Sequence, residues 1–235
     1  MRKTLLTGLV LLLVAFLFNA CSNSVSSKRG PAKILVLDDG GTEDSLYVVL
    51  DSAGFEVTDG GLYYEYTGTD FSMYDLVILL NGIDYGETIE DSIQQAMKDY
   101  VTAGGNLLTI EWLLEEDNYD ILKSFMPVAY NNDYDYHAET YVKMANHPIT
   151  AAIPDTFMTY DGWTSIYMTE LDDASTECTN RIVLFKGLKS GPAVTMGNLG
   201  KGHIIHWAMA GAYRGQNIWS DEVKQIFINI GKFSQ

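Results

Sequence analysis

What most limits the folds open to this chain is a recurring break. Short, branched apolar runs are each stopped by Gly, Asp, Asn or Glu and followed by an amphipathic stretch of helical length. Lys33-Ile34-Leu35-Val36-Leu37 stops at Asp38-Asp39-Gly40-Gly41. Asp75-Leu76-Val77-Ile78-Leu79-Leu80 stops at Asn81-Gly82, and Asn106-Leu107-Leu108-Thr109-Ile110 runs into Glu111-Trp112. These runs lack the polar alternation of a half-exposed strand, so they suit strands buried on both faces. Between them, Leu46, Val49, Leu50 and Ala53 recur at helical spacing after Thr42, a candidate N-cap, and end at Gly54. Ile89, Ile93, Ala96, Met97, Tyr100 and Val101 do the same from Thr88 to Gly104-Gly105. The pattern predicts an α/β fold, a three-layer sandwich with a mostly parallel central sheet.

The second half is looser. Phe55-Glu56-Val57-Thr58 reads as a further early strand, and Trp112 to Phe125 as a third helix. Tyr130 to Leu171 is dominated by Tyr, Asn and Asp and is expected to hold loops and short strands. Arg181–Phe185, Pro192–Met196 and His203–Trp207 are three more strands, separated by glycine-rich turns of hairpin length. Ser220 caps a final helix that buries Val223, Ile226, Phe227 and Ile230. No internal repeat interrupts the series, and one domain is expected over 33–235.

The N-terminus has a separate logic. Arg2 and Lys3 precede an uncharged run from Leu5 to Phe18, too short to span a bilayer, which takes about 20 apolar residues. It reads as a signal peptide over 1–20. Phe18-Asn19-Ala20-Cys21 resembles a bacterial lipobox, which implies a lipidated Cys21, with palmitate-type acyl chains, as the mature N-terminus. Residues 21–32 then form the lipidated cysteine and a flexible, Ser-rich tether. An anchor of this kind makes the membrane a partner through lipid alone. The expected location is the cell envelope. Because Ser22 follows the cysteine, the outer membrane, facing the periplasm, is favoured in a Gram-negative source.

Charge narrows the partners. There are 15 Lys+Arg against 31 Asp+Glu, a formal charge of −16. Without Arg2 and Lys3 the mature chain carries 13 basic and 31 acidic residues, or −18. Such a surface repels phosphate backbones, so no nucleic-acid partner is expected. The only cysteine besides Cys21 is Cys178, set in the acidic stretch Asp172 to Cys178, where neighbouring carboxylates disfavour a thiolate.

Four stretches together resemble the class I glutamine amidotransferase-like, flavodoxin-like fold, and most closely its trehalose-utilisation (ThuA-like) branch. They are KILVLDDGG at the start of the domain, YDLVILLNG at Tyr74–Gly82, YVTAGGNLLTIEW at Tyr100–Trp112, and GPAVTMGNLGKGHIIHWAMAGAY near the end. His147-Pro148-Ile149 matches a turn found in such domains. The resemblance implies that the fourth strand ends where catalytic relatives hold a cysteine nucleophile. Here Glu111 takes that place, and no late His-x-Glu pair is evident. A carboxylate cannot perform thiol acyl transfer.

In an open parallel sheet, ligands collect beyond the carboxyl ends of the strands. The residues expected there are Asp38, Asp39, Asn81, Asp84, Glu111, His206 and Trp207, which are the ligand-binding candidates. Glu111, Asp39 and His206 are the candidates for acid/base work. Asp39, Asp84 and Glu111 are the candidates for a metal, with Ca²⁺ or Mg²⁺ the fitting ions, although no cofactor is required. The alternative for Asp38 and Asp39 is simple capping of the first helix. Tyr63, Tyr64 and Tyr66, and Tyr130, Tyr134 and Tyr136 among Asn131, Asn132, Asp133 and Asp135, suit either a sugar-binding face or surface packing. His137, His147 and His203 lack metal-ligand spacing. Two functions remain open: a non-catalytic, lipid-anchored module for binding a carbohydrate-type ligand or for assembly, and a carbohydrate-active hydrolase or isomerase.

Overall fold

A parallel β-core forms because the apolar runs lie side by side in one sheet. The computed structural model describes residues 30–39, 43–81, 87–115, 118–136, 139–159, 165–208 and 219–235; the side chains of 43–45, 81, 111, 132–136 and 165–168 lie outside that description. Pro31–Gln235 makes one compact unit. The signal peptide, Cys21 and most of the tether lie outside the described residues, as do Thr42, Asp84 and His137.

The strands are β1 (Lys33–Asp38), β2 (Glu56–Leu62), β3 (Leu76–Asn81), β4 (Asn106–Glu111), β5 (Ala129–Tyr136), β6 (Thr140–Lys143), β7 (Thr156–Met158), β8 (Ser165–Glu170), β9 (Thr179–Gly187), β10 (Gly191–Leu199) and β11 (Gly202–Trp207). The α-helices are α1 (Glu43–Ser52), α2 (Asp91–Ala103), α3 (Asp120–Lys123) and α4 (Asp221–Phe233). Nine strands make one mixed sheet in the order β2-β1-β3-β4-β11-β10-β9-β6-β7, and β5 pairs with β8 in a separate antiparallel ribbon. The first five of the nine are parallel neighbours, and the remaining four add antiparallel.

Period-2 alternation splits the core into two layers. Ile34, Val36, Ile78, Leu108 and Ile205 face α1 and α4, against Leu46, Leu50, Val223 and Ile226. Leu35, Leu37, Val77, Leu107 and Ile204 face α2 and α3, against Ile93, Met97, Val101 and Leu122. Both faces of β1, β3, β4 and β11 are therefore covered, as the unbroken apolar runs predict, while the edge strand β2 stays largely exposed. The sheet and α2 also close tightly. Gly104 ends α2 at φ 126°, a left-handed backbone that favours glycine. Gly202 opens β11 pressed on the carbonyls of Val101 and Gly105, where a Cβ has no room.

Two expectations differ from what forms. Trp112 to Phe125 does not make one helix among the described residues. A 3-10 turn (Trp112–Leu114) is followed by the four-residue α3. All three residues of the turn are buried, so this segment has no polar stripe on which a longer amphipathic helix could lie. The Gln94 side chain also holds the break: its Nε2 donates to Asn118 O at 3.0 Å and its Oε1 accepts from Leu122 N at 3.3 Å. The stretch from Tyr130 to Leu171, expected as loops and short strands, contains the longer β5. That strand gains its length by pairing with β8, a partner outside the local pattern.

Candidate functional site

The carboxyl ends of β1, β3, β4 and β11 are level. Leu80, Ile110 and Trp207 stand side by side across three strands, and Asn81 pairs with Glu111 one step further. The strand order reverses between β1 and β3, which puts the topological switch point beside Asp38 and Asp39. This edge is the candidate site. The side chains of Asn81 and Glu111, and all of Asp84, lie outside the described residues.

Asp38 and Asp39 are both buried, at 3% and 5% exposure. The Asp38 carbonyl accepts from Tyr63 N at 2.7 Å, which ties the end of β1 to the chain leaving β2. Tyr47 of α1 lies between two carboxylates, with its hydroxyl 3.5 Å from Asp38 Oδ2 and 3.2 Å from Asp59 Oδ1. Asp59 also accepts from Gly61 N at 2.8 Å. Burial, and then the nearby Asp38 and Asp59, push the Tyr47 phenol well above its usual range, so it remains a donor. With one proton it can donate to only one carboxylate at a time.

At the end of β4, Trp112 and Ala208 form a small apolar cluster onto which Tyr130 packs. Glu115 stands at its margin. Partial burial raises its carboxyl, an effect countered by a hydrogen bond from Tyr130 and by the charge of Lys123.

His206 and Trp207 are adjacent in sequence but not in direction. His206 is fully buried in the layer facing α2 and α3, with Nδ1 2.8 Å from Thr109 Oγ1. Burial pushes its imidazole down to about 3, so it is neutral at ordinary pH. Trp207 points to the opposite layer, where Nε1 donates to Tyr141 OH at 3.0 Å and the indole packs on Phe227 at 4.8 Å. Asp39 and His206 belong to strand lines separated by two intervening strands, roughly 14 Å at ordinary strand spacing. The edge thus gathers Asp38 and Asp39 at one end and the backbone of Asn81 and Glu111 at its centre, while His206 lies within the core. Among the described residues, no three His, Cys, Asp or Glu side chains come together as a metal site.

The remaining sequence candidates fall elsewhere. Tyr63 is fully buried, and Tyr66 stacks on Phe71 at 5.8 Å and lies across Gly68, so both belong to packing around α2. Cys178 is buried against Gly197, whose neighbours pair with the start of β11, at the amino edge of the parallel strands. Burial pushes its thiol up to about 11. Glu139 is a structural anchor that no motif marks. Its buried carboxylate accepts from the backbone N–H groups of Thr140 (2.9 Å), Leu188 (3.0 Å) and Ser190 (3.0 Å), fastening β6 to the β9–β10 hairpin. Its partners are main-chain groups of a distant hairpin, which no residue pattern announces.

No family profile matches the chain, and no curated protein matches it in sequence. Solved structures do. A cytoplasmic protein of Salmonella typhimurium LT2 superposes with a TM-score of 0.66 at 15% identity, over 86% of this chain and 99% of its own. A protein of Parabacteroides merdae described as ThuA-like gives 0.61 at 13% identity, over 87% of this chain and 90% of its own. The fold is the ThuA-like, class I glutamine amidotransferase-like fold. A second protein described as ThuA-like, from Bacteroides uniformis, gives 0.58 at 14% identity, over 90% and 94% of the two chains. At such identities the likeness is one of fold. Within the ThuA-like fold, the fourth-strand end that the sequence resemblance assigns to a nucleophile carries Glu111, and the one cysteine of the domain lies at the opposite edge.

Proposed function

We propose that this chain is a lipid-anchored envelope protein whose amidotransferase-like domain binds a carbohydrate-type ligand, or serves assembly, without amidotransferase chemistry. The observation that carries the reading is the occupant of the fourth-strand end. Glu111 stands where thiol chemistry would need cysteine, and the domain's only cysteine is buried and strongly disposed to stay protonated. A second support is the burial of His206 away from Asp39, which leaves the carboxyl edge with the Asp38 and Asp39 carboxylates but without an accessible described imidazole. Carboxylates at a sheet edge of this type suit hydroxyl-rich ligands. The anchor rests on the uncharged leader ending at Cys21, and the envelope location follows from it.

The test is a thermal-shift screen of the wild type, Glu111→Gln and Asp39→Asn against mono- and oligosaccharides, with and without Ca²⁺ or Mg²⁺. The reading expects a sugar that raises the wild-type midpoint and raises that of Glu111→Gln less, by linkage of binding to stability. If every shift is the same in wild type and Glu111→Gln, the ligand site lies away from this edge.

A further inference from the structure

At the amino edge of the sheet, opposite the candidate site, two histidines from distant parts of the chain close on one side chain. The rings of His147 and His203 each lie 5.0 Å, centroid to centroid, from Phe233 in the last turn of α4. His147 caps the 3-10 turn Pro148–Thr150. Its Nδ1 accepts from Ile149 N at 3.2 Å, and its own N–H donates to Thr150 Oγ1 at 3.0 Å. That turn is what α4 grips, because Asn229 Nδ2 donates to Ile149 O at 3.0 Å and Ala151 O at 2.8 Å. His203 is the second residue of β11, with Nδ1 3.0 Å from Asn106 Oδ1. Asn106 spends its amide hydrogen on Asp75 O, so its oxygen faces His203, and His203 Nδ1 is the donor.

We propose that His147 and His203 form a proton-sensitive clasp that holds the C-terminal helix to the sheet near neutral pH and loosens its last turn on acidification.

The two rings respond differently to a proton. His147 must keep Nδ1 unprotonated to accept from Ile149 N, so protonation converts the cap acceptor into a donor facing a donor. The turn then loses its cap, and with it the ordered carbonyls that hold Asn229. His203 can take its proton at Nε2 and keep its bond to Asn106. Its charge then lies beside His147 across a shared, half-buried aromatic ring. Burial lowers the affinity of both rings for protons, and for His147 the neighbouring His203 lowers it further. Other charged groups on the adjoining elements are Lys232 on α4, Asp75 before β3, Lys201 before β11, and Lys143 paired with Asp155 at 3.5 Å beside the turn. None of these carboxylates is among the groups that set either ring's proton affinity.

Linkage fixes the sign. Both rings bind protons less well when docked than when free, so the docked state is favoured above the ordinary histidine value, near 6.5, and loses ground as pH falls below it. The opening constant should rise about tenfold per pH unit for each proton taken up. Hydrogen exchange of the full-length protein between pH 7.5 and 5.5, corrected for intrinsic rates, reads this directly. Amides of Ile230–Ser234 should lose protection more steeply than those of Leu107–Ile110. His147→Asn keeps a side-chain cap acceptor without a titrating ring. It should keep the protection seen at pH 7.5 and lose most of the extra pH dependence. Imidazole titrations of the wild type supply a readout that needs no variant to fold, and both rings should titrate below the ordinary value. The clasp is overturned if the last turn tracks the central strand at every pH, if His147→Asn keeps the full dependence, or if either ring titrates at or above the ordinary value.

Discussion

His206 makes the stability of the whole domain depend on pH, and by an amount that can be worked out. It is fully buried, sits between β4 and β10 in the sheet, and hydrogen-bonds Thr109 at 2.8 Å. Burial moves its imidazole from the usual 6.5 to about 3. The unfolded chain therefore binds a proton at pH 5.5 that the folded chain refuses, so this contribution to stability is present above 6.5 and is lost as pH falls towards 3. At about 1.36 kcal/mol per pKa unit, going from pH 7.5 to 5.5 removes roughly 1.4 kcal/mol through this residue alone, and pH 4.5 removes roughly 2.7 kcal/mol. Urea unfolding of the wild type and His206→Gln at pH 7.5 and 5.5 isolates the effect as the difference between the two pH dependences. The substitution will cost stability at both pH values by disturbing the core, but that cost cancels in the comparison. Equal pH dependence in the two proteins, or an imidazole signal for His206 titrating near 6.5, would refute the reasoning.

Three further outcomes are expected. Leu108→Ala removes a fully buried side chain between Ile78 and Ile205 and should cost about 2–5 kcal/mol in chemical unfolding, through lost burial and the cavity left behind; a loss under about half a kcal/mol would place β4 outside the central sheet. Ser220→Ala deletes the acceptor for Val223 N at 3.2 Å and should cost about 1 kcal/mol, whereas Ser220→Asp should restore the cap. Cys21→Ser should leave the protein unlipidated and absent from the membrane fraction, and persistence there with an unchanged N-terminal mass contradicts the lipobox.

Much of the fold could be read from the chain because the strands that matter carry their burial in their own residues. Leu107, Leu108 and Ile110 have no polar alternation, and they lie between two helical layers. The cap at Ser220 and the helix stops at Gly54 and Gly104 are equally local signals. What stayed hidden was decided at long range. Trp112-Leu113-Leu114 reads in sequence as the start of a helix, but their burial and the reach of Gln94 from α2 set the turn. Glu139 depends on amides 49 and 51 residues away. At the site, the carboxyl-edge position of Asp38, Asp39 and Glu111 followed from where their strands stop. His206 and Trp207 also stand at a strand end in the sequence, although strand alternation sends the two to opposite layers. The pairing of His147 with His203 across Phe233 joins three segments that share no pattern in the sequence.

Glutamine hydrolysis tests most directly the proposal that Glu111 at the end of β4 leaves this domain without amidotransferase chemistry. Glutamate release from glutamine should be measured with the wild-type protein and with Glu111→Gln, each confirmed as folded by its unfolding midpoint. With a carboxylate at the strand end and Cys178 buried at the far edge, both proteins should release no glutamate above the uncatalysed background. Turnover by the wild type that is abolished in Glu111→Gln would contradict the non-catalytic reading.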